Sequence, residues 1–96
     1  MRAIILAALV ATTAQADMIA RHGADSVRLM RDACPESVAL PPEADRRAFR
    51  KALAVVGGQE YAGCFAVRND GLVVLIYQDG DAGLLPVVQF RMVPDA

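Results

Sequence analysis

Apolar and polar positions change period several times along this chain, and each change marks an element. Met18 to His22 alternates loosely and predicts a short strand, followed by a turn at Gly23-Ala24-Asp25. Ser26 to Met30 places Val27 and Leu29 on one face and Arg28 on the other, a period-2 strand. The two form a predicted hairpin. From Glu43 the period lengthens. Ala44, Ala48, Phe49, Ala52, Leu53 and Val56 fall on one helical stripe, with Arg46, Arg47, Arg50 and Lys51 opposite. Pro42 suits the first turn of such a helix, Glu43 and Asp45 suit its positive end, and Gly57-Gly58 suits its C-terminal cap.

The strand period then returns. Gln59 to Arg68, rich in Tyr61, Phe65 and Val67, runs into Asn69-Asp70-Gly71, the clearest hairpin turn in the chain. Leu72 to Tyr77 is apolar on both faces, which predicts a central strand covered on one side by the helix. A second turn spans Asp79 to Gly83. Leu84 to Met92 reads as a last strand, or a strand with a tight bend. Pro86 lacks an N–H for a ladder hydrogen bond, so this segment belongs at an edge or leaves the sheet there. The order strand, strand, helix, strand, strand, terminal strand predicts an α+β fold. It would be a small antiparallel sheet of four to five strands with one packed helix.

The N-terminus has a different grammar. Met1-Arg2 precedes an unbroken apolar run from Ala3 to Ala11, and Ala14-Gln15-Ala16 supplies a small-x-small cleavage site. Residues 1–16 therefore read as a secretory signal peptide, with Asp17 as the first mature residue. The run is shorter than the roughly 20 residues that span a bilayer. Asp17 stands where a lipoprotein needs cysteine. The expectation is a soluble exported protein, periplasmic or fully secreted, without stable membrane insertion.

Charge narrows the partners. The 96-residue chain carries ten Lys and Arg against eleven Asp and Glu, a net charge of −1. Arg2 leaves with the leader, which moves the balance to −2. No basic footprint for nucleic acid exists. The remaining 17–96 segment makes one domain, and a domain of that size buries a modest share of its surface. A covalent staple is expected. Cys34 and Cys64 are the only cysteines, and export places them where disulfides persist. Closing a loop of about 30 residues stabilises by roughly 3–4 kcal/mol in the chain-entropy model. One histidine and no second cysteine motif cannot furnish a tetrahedral metal set.

Candidate chemistry is sparse. His22 is the single histidine, and Ser26 and Ser37 are the serines. No nucleophile motif surrounds either serine, so no catalytic residue and no cofactor is predicted. The helix face bearing Arg46, Arg47, Arg50 and Lys51 reads as a solvated surface, since the stripe opposite is mostly alanine. Asp79 and Asp81 form the one candidate interaction turn. D-G-D-x-G resembles the start of a calcium loop but lacks its closing glutamate. Turn chemistry alone accounts for Asp and Gly there.

Cys64-Phe65-Ala66, the run Leu75 to Pro86 and Phe90, with Val27-Arg28-Leu29 and Cys34, resemble small exported proteins encoded in phages and prophages of proteobacteria. The resemblance implies a phage-related accessory role and assigns no activity or site residue. The leading functional expectation is a monomeric, non-enzymatic interaction or accessory protein, acting on an unknown protein or envelope component. The alternative is a small periplasmic enzyme or cation-binding domain that uses the Asp79/Asp81 turn with His22.

Overall fold

The computed structural model describes residues 17–93. The signal peptide expected at residues 1–16 lies outside them. The described chain is an antiparallel sheet of seven strands: β1 (Met18–His22), β2 (Asp25–Ala33), β3 (Arg50–Val56), β4 (Gln59–Val67), β5 (Leu72–Tyr77), β6 (Ala82–Pro86) and β7 (Arg91–Met92). Its only helical pieces are two 3-10 turns, Arg46–Ala48 and Val87–Gln89. The fold is all-β, and the α+β expectation is corrected.

The correction centres on residues 43–56. Arg50–Val56 is strand β3, held between β2 and β4 in the middle of the sheet. Ala52 and Ala54 face one side and are buried, while Lys51, Leu53 and Val55 alternate to the other. A seven-residue run of this kind fits both periods. The glycines that resembled a helix cap make the next hairpin instead. Gly57 and Gly58 have φ of 58° and 81°, and they join Val56 to its partner Gln59. Two consecutive positive-φ residues suit a two-residue hairpin turn as well as they suit a cap. With β3 a strand, the basic face of Arg46, Arg47, Arg50 and Lys51 does not exist. Arg46 turns into the preceding loop, Arg47 pairs with Asp45 at 3.3 Å, and Arg50 donates to the Arg47 and Phe49 carbonyls.

Strand order is β6-β5-β4-β3-β2-β1-β7. The two outermost strands are nonetheless joined by only four residues, 87–90. Five Cα steps reach at most about 17 Å. In a flat sheet, six strand spacings would separate β6 from β7 by roughly 29 Å. The sheet therefore curls into a half-barrel, and the connection crosses its concave side. Phe90 on this connection packs with Leu29, Ala52, Val73 and Leu75 to form the inner core. Alanines at 52 and 54 leave room for that crossing.

A second, smaller core lies on the convex side. Cys34, Val38 and Cys64 are buried there, with Leu40, Phe49 and Ile76 packed against them. The loop from β2 to β3 supplies most of this cluster. The predicted Cys34–Cys64 disulfide is present, with the two Cα atoms 5.3 Å apart. Arg46 reinforces the clasp by donating from Nη1 to the Pro35 carbonyl at 2.9 Å and from Nη2 to the Val38 carbonyl. β5 is thus covered on both faces as its apolar run requires, by the loop outside and by Leu85, Val87 and Phe90 inside. No helix covers it.

Candidate functional site

The two ends of the half-barrel differ. At one end the crossing segment acts as a floor: the Val87 N–H donates to the Gly71 carbonyl at 2.8 Å, and Phe90 is buried. At the other end no segment crosses among the described residues. Three turns surround that mouth: Gly23-Ala24 after β1, Gly57-Gly58 after β3, and residues 78–81 after β5.

One wall of the mouth is built by β4, β5 and the turn after them. A cavity of about 340 Å³ opens there, lined by Tyr61, Tyr77, Asp79 and Asp81, with Val27 and Val56 among its apolar residues. Tyr77 is placed by its cross-strand neighbour. It pairs with Gly63, and a Cβ at 63 would lie 2.8 Å from the Tyr77 ring carbon Cδ1. Glycine at 63 is what lets the ring lie across β4. Burial raises the Tyr77 phenol above its ordinary pKa, and the Asp79 charge raises it further. Both effects disfavour a phenolate in this wall. Tyr61 donates its hydroxyl to Gln59 Oε1 at 3.1 Å.

The Asp79/Asp81 turn is where the sequence places it. The Asp81 N–H donates to Asp79 Oδ1 at 2.9 Å, and the Tyr77 N–H to the Asp81 carbonyl at 2.8 Å. Gly80 takes φ of 96°, so the turn does need its glycine. Both carboxylates are exposed at the rim of the cavity.

The opposite wall belongs to β1 and β2. A second cavity of about 270 Å³ shares Val27 and Val56 with the first and adds Ala20, His22, Ser26 and Leu85. Sequence spacing gave no sign that His22 and Asp79/Asp81 would rim one mouth; the curl of the sheet brings them there. Asp25, also on this wall, accepts from the Gly57 N–H at 3.1 Å and ties two of the three turns together. Among the described residues no side-chain hydrogen bond joins His22 to Ser26 or to Asp25. Ser37 sits exposed in the convex-side loop, away from the mouth. Among the described residues no three His, Cys, Asp or Glu side chains gather as a metal set.

The sequence reading missed Tyr61 and Tyr77. Both appear in it as strand residues, and the signal that marks them is Gly63, an interior-strand glycine opposite an aromatic. Comparison with known proteins finds no matching family model, no matching curated protein and no matching solved structure.

Proposed function

We propose that this chain is an exported, non-enzymatic interaction module that binds its partner in the open mouth of the half-barrel. One observation carries the reading: a single mouth, closed below by Phe90, joins two apolar-floored cavities and rims them with tyrosines and carboxylates. Binding sites combine an apolar, preformed concavity with a few orienting polar groups in this way. The polar groups around the mouth support a binding role. Tyr77 is held neutral, Asp25 is engaged by backbone, and the Asp79/Asp81 carboxylates stand at the rim. The disulfide fits an oxidising compartment outside the cytoplasm. The leader-like residues 1–16 favour the periplasm. A phage-related accessory role, implied by the resemblance of the β4 to β6 residues, is the biological setting of the same proposal.

Photo-crosslinking in the exported protein tests the reading. A photoreactive residue at Tyr61 in the mouth should yield one discrete adduct, and the same residue at Arg31, away from it, should not. Equal labelling from both positions overturns the reading. So does turnover of chromogenic ester, glycoside or phosphate substrates that is lost in Asp79→Asn/Asp81→Asn.

A further inference from the structure

We propose that the mouth takes the basic side chain of an extended peptide, and that this peptide adds as a further strand to the free edge of β6. The inference rests on the binding-module reading above and names its ligand.

The backbone of β6 is the first argument. The Tyr77–Asp81 hydrogen bond makes that pair a hydrogen-bonded one, and the register runs Ile76 to Ala82, Leu75 to Gly83, Val74 to Leu84 and Val73 to Leu85. Hydrogen-bonded and non-hydrogen-bonded pairs alternate along an antiparallel ladder. Gly83 and Leu85 therefore turn their N–H and C=O groups toward β5. Ala82 and Leu84 turn theirs outward, where no strand is paired among the described residues. Pro86 stands at the next outward position, where an N–H is not needed. It blunts only the far end of the edge. Ala82 to Leu85 carries no charge, and Leu84 is half exposed. Edges left in this state are templates for strand addition.

Gly83 is the second argument. Its backbone is outside the left-handed region, and a Cβ built on it meets nothing within 4 Å. Neither a turn nor a close approach explains glycine there. Its effect is to leave a gap in the inner layer of side chains, between Asp81 and Leu85. The second cavity lies beside this edge, between Leu85 of β6 and Ala20 and His22 of β1. A residue added directly opposite Gly83 sends its side chain to the same face, into the gap and toward the mouth.

Charge and aromatic surface then choose the side chain. The ion pairs among the described residues are Asp17–Arg28, Asp45–Arg47 and Asp70–Arg68. Asp79 and Asp81 belong to none of them. A protonated amine or guanidinium meets both carboxylates there, beside the faces of Tyr61 and Tyr77. Its aliphatic stem lies along Val56.

The test titrates the oxidised protein with acetyl-Thr-Val-Lys-Val-Thr-amide, its Lys→Leu and Lys→Glu analogues, and n-butylamine, read by amide chemical shifts. The Lys peptide should bind tightest and the Glu peptide weakest, with the largest shifts at Ala82 and Leu84. Asp79→Asn/Asp81→Asn should weaken the Lys peptide roughly tenfold and leave the Leu peptide unchanged. Leu84→Pro, which removes an outward N–H, should abolish peptide binding and spare n-butylamine. A peptide N-methylated at the valines gives the same readout without altering the protein, so a Leu84→Pro variant that fails to fold does not stop the test. Equal binding of the three peptides, or undiminished binding of the N-methylated one, overturns the proposal. A wild-type dimer that Leu84→Pro converts to monomer, with no preference for Lys, also overturns it and makes a second copy the occupant. If strand addition fails while the Tyr61 adduct persists, the binding-module reading survives alone; if both fail, it falls too.

Discussion

One substitution made at two glycines should move stability in opposite directions. At Gly63, an added Cβ lies 2.7 Å from the Ile76 carbonyl oxygen, 2.8 Å from Tyr77 Cδ1 and 3.2 Å from Tyr77 Cα. Carbon–oxygen contacts sit comfortably at about 3.3 Å or more, and carbon–carbon contacts at about 3.5 Å or more. The β4–β5 pairing must therefore open by roughly 0.6 Å, and two of the three obstacles are backbone that cannot swing aside. Overpacking of this kind costs about 1–3 kcal/mol. Alanine recovers about 0.4–1 kcal/mol by restricting the unfolded chain. The clash wins, so Gly63→Ala should destabilise by about 1–2 kcal/mol. For a domain of this size that lowers Tm by roughly 5–15 °C. Gly83→Ala keeps the unfolded-state gain and meets no atom, so its Tm should rise by roughly 2–8 °C. Thermal unfolding followed by far-UV circular dichroism, with the disulfide intact, compares the two. The near-UV tyrosine band should change in Gly63→Ala alone, because Tyr77 must move. A Gly63→Ala protein as stable as wild type, or two variants that shift together, would refute the account of how β4 places that ring.

Other expectations follow from the same contacts. Phe90→Ala removes a ring that is 6% exposed at the centre of the inner core and should cost about 3–5 kcal/mol in guanidinium titration; a loss under about 1 kcal/mol would mean that the crossing segment is not docked. Cys34→Ser/Cys64→Ser should cost about 3–4 kcal/mol in urea titration, and an unchanged midpoint would dismiss the staple as a stabilising element. Asp79→Asn/Asp81→Asn should leave Tm near wild type, since Asn keeps the turn's local hydrogen bonding; a large drop would show that the carboxylates hold the fold. Tyr77 should titrate above the ordinary phenol range in phenolate absorbance, with Asp79→Asn bringing it down, and a Tyr77 titration inside that range would contradict its burial. Because the folded value is raised, Tyr77's contribution is fully present below about pH 10. It is lost as pH climbs through the raised value, since the unfolded chain releases its proton first.

Local chemistry made much of this molecule legible. The Asn69-Asp70-Gly71 and Asp79-Gly80-Asp81 turns, the first hairpin, the edge position of Pro86 and the Cys34–Cys64 bridge all rest on residues acting within a few positions, or on a pairing with no alternative. The strand at Leu72 to Tyr77 was read correctly, but its central place and its helical cover were not: β5 lies next to the edge strand β6, and no described helix packs on it. What failed was residues 43–56, where Ala52, Leu53 and Val56 fit a helical stripe as well as a strand. Propensity favoured the helix, because Ala, Leu, Arg and Lys are good helix formers. Tertiary context overrode it: β4 offered a full ladder of backbone partners from Arg50 to Val56, β2 a bulged one, and the curled inner face needed small residues at 52 and 54.

The mouth was illegible for a related reason. His22, Tyr61, Tyr77 and Asp79 share one rim only because four residues join the two outer strands. That closure bends the sheet and decides which turns crowd together. No window of sequence contains the bend; it arises from the shortness of residues 87–90 set against the width of seven strands. The glycines are where this long-range geometry leaves a local trace. Gly63 is required by the ring that crosses it, and its clash distances say so. Gly83 is required by nothing within the folded chain. A glycine that the described fold does not need, on an uncharged edge next to two carboxylates that join no ion pair among the described residues, points to a ligand for its explanation. That contrast places the ligand's point of entry at residue 83 rather than at the acidic turn, which its own backbone hydrogen bonds already explain.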